Sequence, residues 1–417
     1  MWWWHSLYRY RIRQNSSILK RFWRENRVLL LILAGALILR LFVLFTEGNR
    51  MFLGTDDDNY RESAEILLRK GVLTYSGWRE PTVFIMPGYP LILAGVFSLV
   101  GSTSWLAARF FQILVSLAAL WFAVKLGTRL GGRPVGLLSG MLVAVYPPNL
   151  TAPCFLMTEV VFTCLLLVSL VSFAKAEETR RAGWFVLTGF LLGLSVYFRP
   201  ISALLPVVFG VYLVLRGYPW EKMLVDVSIM GVVLVLCLSP WIIRNYLIYK
   251  QFIPLTVSGG NPFLRGTYLN DKIDEKLPWV EGDRISSDRA QMEYGKKRFV
   301  EGFKTNFRGY LRWYTIEKFS DFWGGPYYYR QLTYLPAKWV NMFHRFLLWT
   351  GLAGLIAGLW RRKPLPLLFL LISGYFTFIH MVYLTGPRYS FPVMQLAVIM
   401  AAYLIIEGVR AVSGKRL

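Results

Sequence analysis

The chain has 417 residues, of which 55% are hydrophobic and 16% aromatic, while only 17% are charged. Soluble domains carry about 25% charged residues, so this composition argues against a soluble protein and indicates a membrane protein. The formal net charge of +23 would suggest nucleic-acid binding in a soluble chain, but no helix-turn-helix, zinc-finger or RNA-binding motif accompanies it. In a membrane protein, the positions of Lys and Arg indicate which loops are cytoplasmic, because these residues accumulate on the cytoplasmic side.

The N-terminal segment 1–26 is aromatic and basic and has no small-residue cleavage site before the first apolar run. We interpret it as a retained cytoplasmic or interfacial segment rather than a cleaved signal peptide. The chain also has three cysteines, Cys154, Cys164 and Cys237. Their odd number and their spacing predict neither a disulfide framework nor a metal site.

About ten apolar runs follow that are suited to cross a bilayer, which takes roughly 20 residues of helix. They are predicted at 27–46, 105–126, 134–150, 156–174, 183–198, 200–215, 224–243, 341–360, 364–384 and 389–409. The shorter run 89–100 is predicted to lie along the membrane, because a crossing there would turn every later basic loop outward. The basic residues then left in the cytoplasm are Lys125, Arg129, Arg133, Lys175, Arg180, Arg181, Arg216, Lys222, Arg361, Arg362, Lys363, Arg410, Lys415 and Arg416.

This assignment predicts an all-α polytopic membrane protein with about ten transmembrane helices and both termini in the cytoplasm. A transmembrane module, 27–243, contains the first outer loop, 46–104, with its juxtamembrane helices. A long, partly helical outer loop, 244–340, precedes the eighth span. The C-terminal helices occupy 341–417.

The first outer loop contains three consecutive aspartates, Asp56, Asp57 and Asp58, at the start of a predicted helix that ends at Gly71. Acidic residues stabilise a helix N-terminus, but one would suffice for that purpose. Successive helical residues point about 100° apart, so at most two of the three aspartates face any one pocket.

Further charged residues are expected at the same outer level. Arg40 lies inside the first span, Glu159 opens the fourth, and Arg199, Arg244 and Arg388 lie in or beside outer connections. Each arginine alone is compatible with snorkelling of its side chain towards the membrane surface. Together with the acids, they predict an anion site beside a carboxylate.

That combination fits sugar transfer from a polyprenyl phosphate. Guanidinium groups bind phosphate through paired hydrogen bonds, and a carboxylate near an acceptor hydroxyl can act as a general base. The same arginines would stabilise the leaving phosphate. No phosphate-cradling glycine loop is present, which argues against ATP hydrolysis.

In their order along the chain, these residues resemble the GT-C superfamily of membrane glycosyltransferases, in the branch of the protein O-mannosyltransferases and the bacterial aminoarabinose transferase of lipid A. The resemblance covers most of the chain up to about residue 265 and returns at 386–392. It rests on Asp56-Asp57 with Tyr60 and Gly71, Pro87-Gly88-Tyr89-Pro90, Ala108-Arg109, Glu159, Arg199, Pro240-Trp241 with Arg244-Asn245, and Arg388-Tyr389 with Pro392.

The resemblance implies that Asp56 is the catalytic base, Glu159 an auxiliary acid and Arg199 a phosphate contact. The other residues expected to bind substrate are Tyr60, Arg40, Arg244, Arg388 and Tyr389. The family's second acid is a Glu, whereas this chain has an aspartate triplet, so Asp57 or Asp58 could be the working carboxylate. The chain is shorter than the full mannosyltransferases, so a cell-envelope glycolipid or polysaccharide is expected as acceptor rather than a protein.

We therefore expect an inverting glycosyltransferase of the plasma membrane that acts at its outer face. The scheme requires no metal, and the acid cluster leaves room for a divalent cation. The rival functions are a lipid-linked oligosaccharide flippase or transporter, an O-antigen ligase or polymerase, and a non-catalytic scaffold. A transporter would have ionisable residues along a path through the bundle. A ligase or polymerase would have its essential residues mainly in the second outer loop, 244–340. A scaffold would tolerate Asp56→Asn.

Overall fold

The computed structural model describes residues 26–77, 80–273, 275–328 and 330–414. Regular secondary structure in these ranges is entirely helical, which confirms the predicted all-α class. The predicted interfacial segment 1–26 falls, apart from its last residue, outside the described residues.

The helices are numbered in chain order. They are α1 (Asn26–Arg50), α2 (Asp56–Lys70), α3 (Gly88–Val100), α4 (Trp105–Gly131), α5 (Arg133–Val145), α6 (Pro147–Thr151), α7 (Glu159–Thr179), α8 (Ala182–Val196), α9 (Leu205–Leu215), α10 (Trp220–Tyr249), α11 (Gly260–Arg265), α12 (Arg284–Thr305), α13 (Phe307–Arg312), α14 (Lys318–Trp323), α15 (Ala337–Trp360), α16 (Pro364–Val382) and α17 (Pro387–Ser413).

Within the described ranges, seven helices are long and apolar enough to cross a membrane: α1, α4, α7, α10, α15, α16 and α17. An eighth crossing results if α5 and the helical stretch Pro147–Cys154, which meet at a 65° bend, count as one span. The bend has a local cause, because Pro147 and Pro148 disfavour a helical Tyr146 and start a new helix. The predicted total of about ten also requires crossings by α8 and by the apolar helical stretch Pro200–Leu215, and it stays a prediction.

Contacts between helix termini define two ends of the bundle. At one end, Arg109 of α4 donates hydrogen bonds of 2.7 Å to the carbonyls of Met51 and Cys154. At the other, Arg410 of α17 donates to the carbonyl of Gly131 at 3.0 Å. We call these the Asp56 end, where α1 ends and α4, α7 and α17 begin, and the Gly131 end, where α4 and α17 end.

Helix α3 begins and ends at the Asp56 end, because its first N–H, on Gly88, donates to the carbonyl of Tyr197 at 2.9 Å and its last residue lies shortly before the start of α4. It has 13 residues, or about 20 Å of helix, which is short of the roughly 30 Å hydrocarbon thickness. This arrangement supports the prediction that 89–100 lies along the membrane.

The central helix is α17, which packs against α4, α5, α7 and α15. Glycines let α15 approach it closely, since a Cβ at Gly351 or Gly354 would collide with the carbonyl oxygens of Ala397 and Met400. The first turn of α17 carries Arg388. A buried helix therefore holds one of the predicted site residues at the Asp56 end.

The two long segments, 46–104 and 244–340, contact each other at the Asp56 end. The backbone N–H of Thr333 donates to the Glu47 carboxylate at 3.0 Å, and Arg244 donates to the Thr82 carbonyl at 2.8 Å. Helices α2 and α3 lie in the first segment and α11 to α14 in the second. Both segments thus lie at the same end of the bundle as Asp56 and Arg388.

Candidate active site

The three aspartates at the start of α2 have different surroundings. Asp56 accepts a hydrogen bond of 2.7 Å from Arg388 and one of 2.8 Å from the Tyr75 hydroxyl. Asp57 is buried, and its carboxylate accepts backbone N–H bonds of 2.7, 3.1 and 3.0 Å from within 53–58. Asp58 is half exposed and lies 3.5 Å from Arg61. Among these three, Asp56 is the one that reaches the predicted arginines.

Two acids and two arginines form an ion cluster, by which we mean Asp56, Glu159, Arg199 and Arg388. Arg388 donates through Nη1 to Asp56 and through Nε to Oε1 of Glu159. Arg199 donates to the same Glu159 oxygen at 2.5 Å. The four formal charges cancel, which offsets the cost of burying them. The cluster joins α2, α7, α17 and the short connection after α8, in which Arg199 is the last residue.

The two acids differ in accessibility. The Glu159 side chain has no exposed surface, whereas 39% of the Asp56 side chain remains exposed. Glu159 is the first residue of α7, where the helix dipole favours a negative charge. Asp56 is therefore the acid that a substrate can reach, and Glu159 is placed to hold the two arginines.

Opposing effects set the pKa of Asp56. Burial raises it, but the charge and hydrogen bond of Arg388, together with the Tyr75 hydrogen bond, outweigh that effect and hold the pKa below its ordinary value. Burial raises the pKa of Tyr75, so this hydroxyl stays protonated and donates to the carboxylate. Asp56 is accordingly ionised at neutral pH, as a general base must be.

Aromatic rings line the cluster on two sides. The Tyr60 ring lies 5.3 Å from that of Tyr75 and 5.1 Å from that of Tyr89. On the other side, the Arg199 guanidinium lies 5.4 Å from the centre of the Tyr389 ring, which stacks on His380 at 4.8 Å. These contacts place the predicted Tyr60 and Tyr389 beside the ion cluster.

Arg40 and Arg244 make their contacts elsewhere. Arg40 is buried in α1 and donates to the Ser116 hydroxyl at 2.8 Å and to the Ala36 carbonyl at 3.0 Å. Arg244 donates to the Thr82 carbonyl and to the Asn245 side chain. Of the four arginines expected to converge, the structure brings Arg199 and Arg388 together. A part for Arg40 and Arg244 in substrate binding stays a prediction.

Arg244 instead lines an apolar groove with a cavity volume of about 450 Å³. Two of its lining residues, Tyr197 and Leu73, are close in sequence to Arg199 and Tyr75, so the groove adjoins the ion cluster. The remaining lining residues are Leu67, Gly71, Val72, Pro81, Pro87, Leu91, Pro240, Trp241 and Ile248.

The donor set of the cluster does not fit a divalent metal ion. In the parts of the chain that the structure describes, no group of three or more His, Cys, Asp or Glu side chains could hold one. Asp56 and Glu159 both accept hydrogen bonds from Arg388, so a cation there would have to displace a guanidinium. The expectations that catalysis requires no metal and that the acids leave room for a divalent cation both stay predictions, and no step below uses a metal.

Tyr75 is the site residue that sequence reasoning missed. It lies beyond the end of α2 in a segment without regular secondary structure. It is one of 23 tyrosines, and no neighbouring residue marks it as different from the others. Its contact with Asp56 depends on how the chain folds back after Gly71, which periodicity does not report.

A family model described as dolichyl-phosphate-mannose-protein mannosyltransferase matches residues 80–243. The matched range includes Glu159 and Arg199 and begins after Asp56. No curated protein matches the chain in sequence.

The fold is similar to that of the oligosaccharyltransferase of Archaeoglobus fulgidus. Its apo form has a TM-score of 0.58 and 12% identity, and the match covers 92% of this chain and 51% of that chain. The same TM-score and identity hold for the Archaeoglobus fulgidus AglB complex with an inhibitory peptide and a dolichol-phosphate, with 95% and 53% covered. This chain thus spans about half the length of those proteins.

ArnT from Cupriavidus metallidurans, bound to undecaprenyl phosphate, matches with a TM-score of 0.48 and 14% identity, over 93% of this chain and 79% of that one. The mannosyltransferase family model agrees with the resemblance to the GT-C superfamily of membrane glycosyltransferases, and the archaeal oligosaccharyltransferase has a similar fold.

Proposed function

We propose that this chain is an inverting glycosyltransferase that moves a sugar from a polyprenyl-phosphate donor to an acceptor at the outer face of the plasma membrane. The acceptor would be a cell-envelope glycolipid or polysaccharide. The observation that carries the proposal is the ion cluster, in which an accessible carboxylate lies 2.7 Å from an arginine that also bridges to a buried acid.

Donor binding would rearrange the cluster. In the structure, both carboxylate oxygens of Asp56 are engaged, one by Tyr75 and the other by Arg388. A phosphate that enters the cluster competes for the guanidinium of Arg388, because arginine forms paired hydrogen bonds with phosphate as well as with carboxylate. When Arg388 exchanges its hydrogen bond with Asp56 for one with the phosphate, Oδ2 of Asp56 becomes free to accept a proton from the acceptor.

The chemical step then needs only these residues. Oδ2 of Asp56 takes the proton of an acceptor hydroxyl, whose oxygen attacks the anomeric carbon of the sugar. The bond from that carbon to the phosphate oxygen breaks, and the electron pair leaves with the lipid phosphate. Arg388 and Arg199 stabilise the charge that grows on it. Attack opposite the leaving group inverts the anomeric configuration.

The groove beside the cluster supports a lipid-linked donor. It is lined almost entirely by apolar side chains, and its one charged lining residue is Arg244. An apolar groove that contains Arg244 and lies near the ion cluster could hold the polyprenyl chain while the phosphate headgroup binds the cluster. The dolichol-phosphate bound to the similarly folded archaeal protein is a ligand of the same chemical class.

Charge distribution supports the outer face. Among the short connections between helices, Lys and Arg concentrate at the Gly131 end, and the positive-inside rule, which applies to short loops, assigns that end to the cytoplasm. The Asp56 end then faces outward. The residues concerned within the described ranges are Lys125, Arg129, Arg133, Lys175, Arg180, Arg181, Arg216, Lys222, Arg361, Arg362, Lys363 and Arg410.

The test supplies purified protein with a panel of polyprenyl-phosphate monosaccharides and acceptor glycolipids, and follows release of the lipid phosphate. Asp56→Asn should lower turnover by about 10²- to 10⁴-fold, the usual contribution of a general base. Asp58→Asn is the matched control and should leave turnover near the wild-type value, because Asp58 is half exposed and, among the arginines that the structure describes, pairs with Arg61.

Asp57→Asn should act on stability, because the Asp57 carboxylate accepts three backbone hydrogen bonds. Wild-type turnover that Asp56→Asn does not reduce would overturn the mechanism. Movement of lipid-linked sugars across vesicles without any transfer product would favour the transporter instead.

A further inference from the structure

Lys318, in the long outer segment, is fully buried. Lysine is rarely buried to this extent unless it is paired. The partners of this lysine are not carboxylates, because its Nζ donates hydrogen bonds to the carbonyl oxygens of Met381 at 2.8 Å and Tyr383 at 2.7 Å. Burial lowers the pKa of Lys318 to about 7. A residue this costly to bury calls for an explanation.

Three parts of the chain contact this amine: the turn before Lys318, the residue Gly266 and the end of α16 with the connection after it. Nζ lies 4.0 Å from the centre of the Tyr314 ring, in a π-helical turn, Trp313–Glu317, that directly precedes Lys318. Such turns are rare and frequently occur at functional sites. Opposite, Gly266 approaches so closely that a Cβ there would collide with the Tyr383 carbonyl and lie 3.0 Å from Nζ. We call this arrangement of Lys318, Gly266, Met381 and Tyr383 the lysine clamp.

The lysine clamp holds the chain just ahead of the ion cluster. Helix α16 ends at Val382, and α17 begins at Pro387, directly before Arg388. The two carbonyls bound by Lys318 are therefore at the end of α16 and in the connection that leads into Arg388. Fixing this connection fixes where the first turn of α17 begins.

Other residues of α14 contact the last turns of α16. Trp323 donates a hydrogen bond of 3.1 Å to Thr377, and the Phe322 ring lies 5.4 Å from that of His380. His380 in turn stacks on Tyr389, which lies against Arg199. A single short helix thus contacts the chain that leads into Arg388 directly and reaches Tyr389, just after it, through His380.

Simple capping of α16 does not account for Lys318. Lysines that bind the last carbonyls of a helix are usually found near its own C-terminus. Lys318 instead reaches these carbonyls from 63 and 65 residues away in the sequence and is buried there. An exposed lysine in the last turn would cap the helix without the cost of desolvating an amine.

We propose that Lys318 is a positioning residue for Arg388. By holding the end of α16 and the connection to α17, it keeps the Arg388 guanidinium between Asp56 and Glu159. The consequence for catalysis rests on the function proposed above. The lysine clamp gives the segment 244–340 a part in building the site as well as in surrounding it.

The first measurement does not depend on activity. Hydrogen exchange of the purified full chain is compared for Lys318→Met, which removes the donors, and for Lys304→Met, a matched control at an exposed lysine of the same segment. Peptides covering 383–390 should exchange at least about tenfold faster in Lys318→Met and at the wild-type rate in Lys304→Met. Unchanged exchange at 383–390 would overturn the lysine clamp.

The second measurement is donor turnover. Displacing a catalytic group by about 1 Å can cost about 10²-fold, so Lys318→Met should lower kcat by about 10- to 100-fold. Lys318→Gln, which keeps two N–H donors, should recover part of that loss. In an Arg388→Lys background, Lys318→Met should lower kcat little further, because the residue it positions is already altered. Full additivity of the two substitutions would contradict positioning.

Two outcomes separate this inference from the proposed function. If Lys318→Met does not fold, Gly266→Ala takes its place, because the added methyl group presses on the same contact from outside and should raise exchange at 383–390. If the wild-type chain shows no transferase activity, the function proposed above fails, while the exchange data still decide on the lysine clamp.

Discussion

Arg388 is the residue on which the ion cluster depends. Its planar guanidinium presents Nη1 to Asp56 and Nε to Glu159, a two-sided contact that the single amine of lysine cannot reproduce. Removing it would leave two buried or half-buried acids with less positive charge between them. Among the groups that lower the pKa of Asp56, this side chain has the largest effect.

This dependence predicts a change in the pH profile of Arg388→Gln. In the wild-type chain the pKa of Asp56 is depressed, so its ionised form persists as the pH falls and is lost only below the ordinary aspartate value of about 3.9. In Arg388→Gln the two largest effects that lower this pKa, the charge and the hydrogen bond of Arg388, are lost, and the pKa rises. The acidic limb of kcat/KM, which reports the free enzyme, should therefore move to higher pH in this variant.

Arg61→Gln is the control for that experiment. It removes a positive charge from the same loop, but Arg61 pairs with Asp58 and Glu65 rather than with Asp56. Its acidic limb should coincide with that of the wild type. An acidic limb at the same pH in Arg388→Gln and the wild type would contradict the assignment of Asp56 as the titrating base.

Individual site residues were predictable to the extent that their presence at membrane depth is costly. Glu159, Arg199 and Arg388 stand out because charges at that level are rare, and the structure places all three in one cluster with Asp56. Tyr75 carries no such signal. The choice among the three aspartates needed the surroundings of each side chain, since the helical spacing alone left two of them possible for one pocket.

At the scale of elements, long helices were predictable and short ones less so. The runs predicted at 27–46 and 105–126 correspond to α1 and α4, which extend past the apolar stretch at one or both ends. Each of these helices is longer than its apolar run because backbone hydrogen bonding continues into polar and charged residues, whereas a hydropathy pattern marks only the apolar part. The run predicted at 134–150 breaks at Tyr146, where the two prolines stop one helix and start the next.

The position of α3 predicts a labelling result. Ser102 is exposed and follows α3 at the Asp56 end, whereas Ser413 is exposed at the end of α17. In a background without the three native cysteines, Ser102→Cys should react with a membrane-impermeant maleimide in intact cells. Ser413→Cys should react only after the cells are permeabilised.

The reverse pattern would place the ion cluster on the cytoplasmic side and would contradict transfer at the outer face. Labelling of both positions in intact cells would show that one of the two ends is assigned to the wrong side, because an even number of crossings, rather than the predicted odd number, would then separate Ser102 from Ser413.

At the scale of the whole molecule, the two long segments and the helix termini assemble one site from parts far apart in the sequence. Asp56 and Arg388 are separated by 332 residues and Glu159 and Arg388 by 229. No periodic pattern reports such contacts, so the sequence predicted the members of the cluster by their chemistry rather than by their pairing. Arg40 and Arg244 show the limit of that reasoning, because they carry the same guanidinium group as Arg199 and Arg388 and yet lie outside the cluster.

The most direct test of the central claim is an experimental structure of the chain with a non-hydrolysable donor analogue, a polyprenyl phosphonate that carries a monosaccharide. The phosphonate should lie within hydrogen-bond distance of Arg388 and Arg199, with the lipid chain in the groove beside Tyr197 and an oxygen of Asp56 freed from Arg388 and facing the sugar. A phosphonate bound away from both arginines, or at the Gly131 end, would contradict the account.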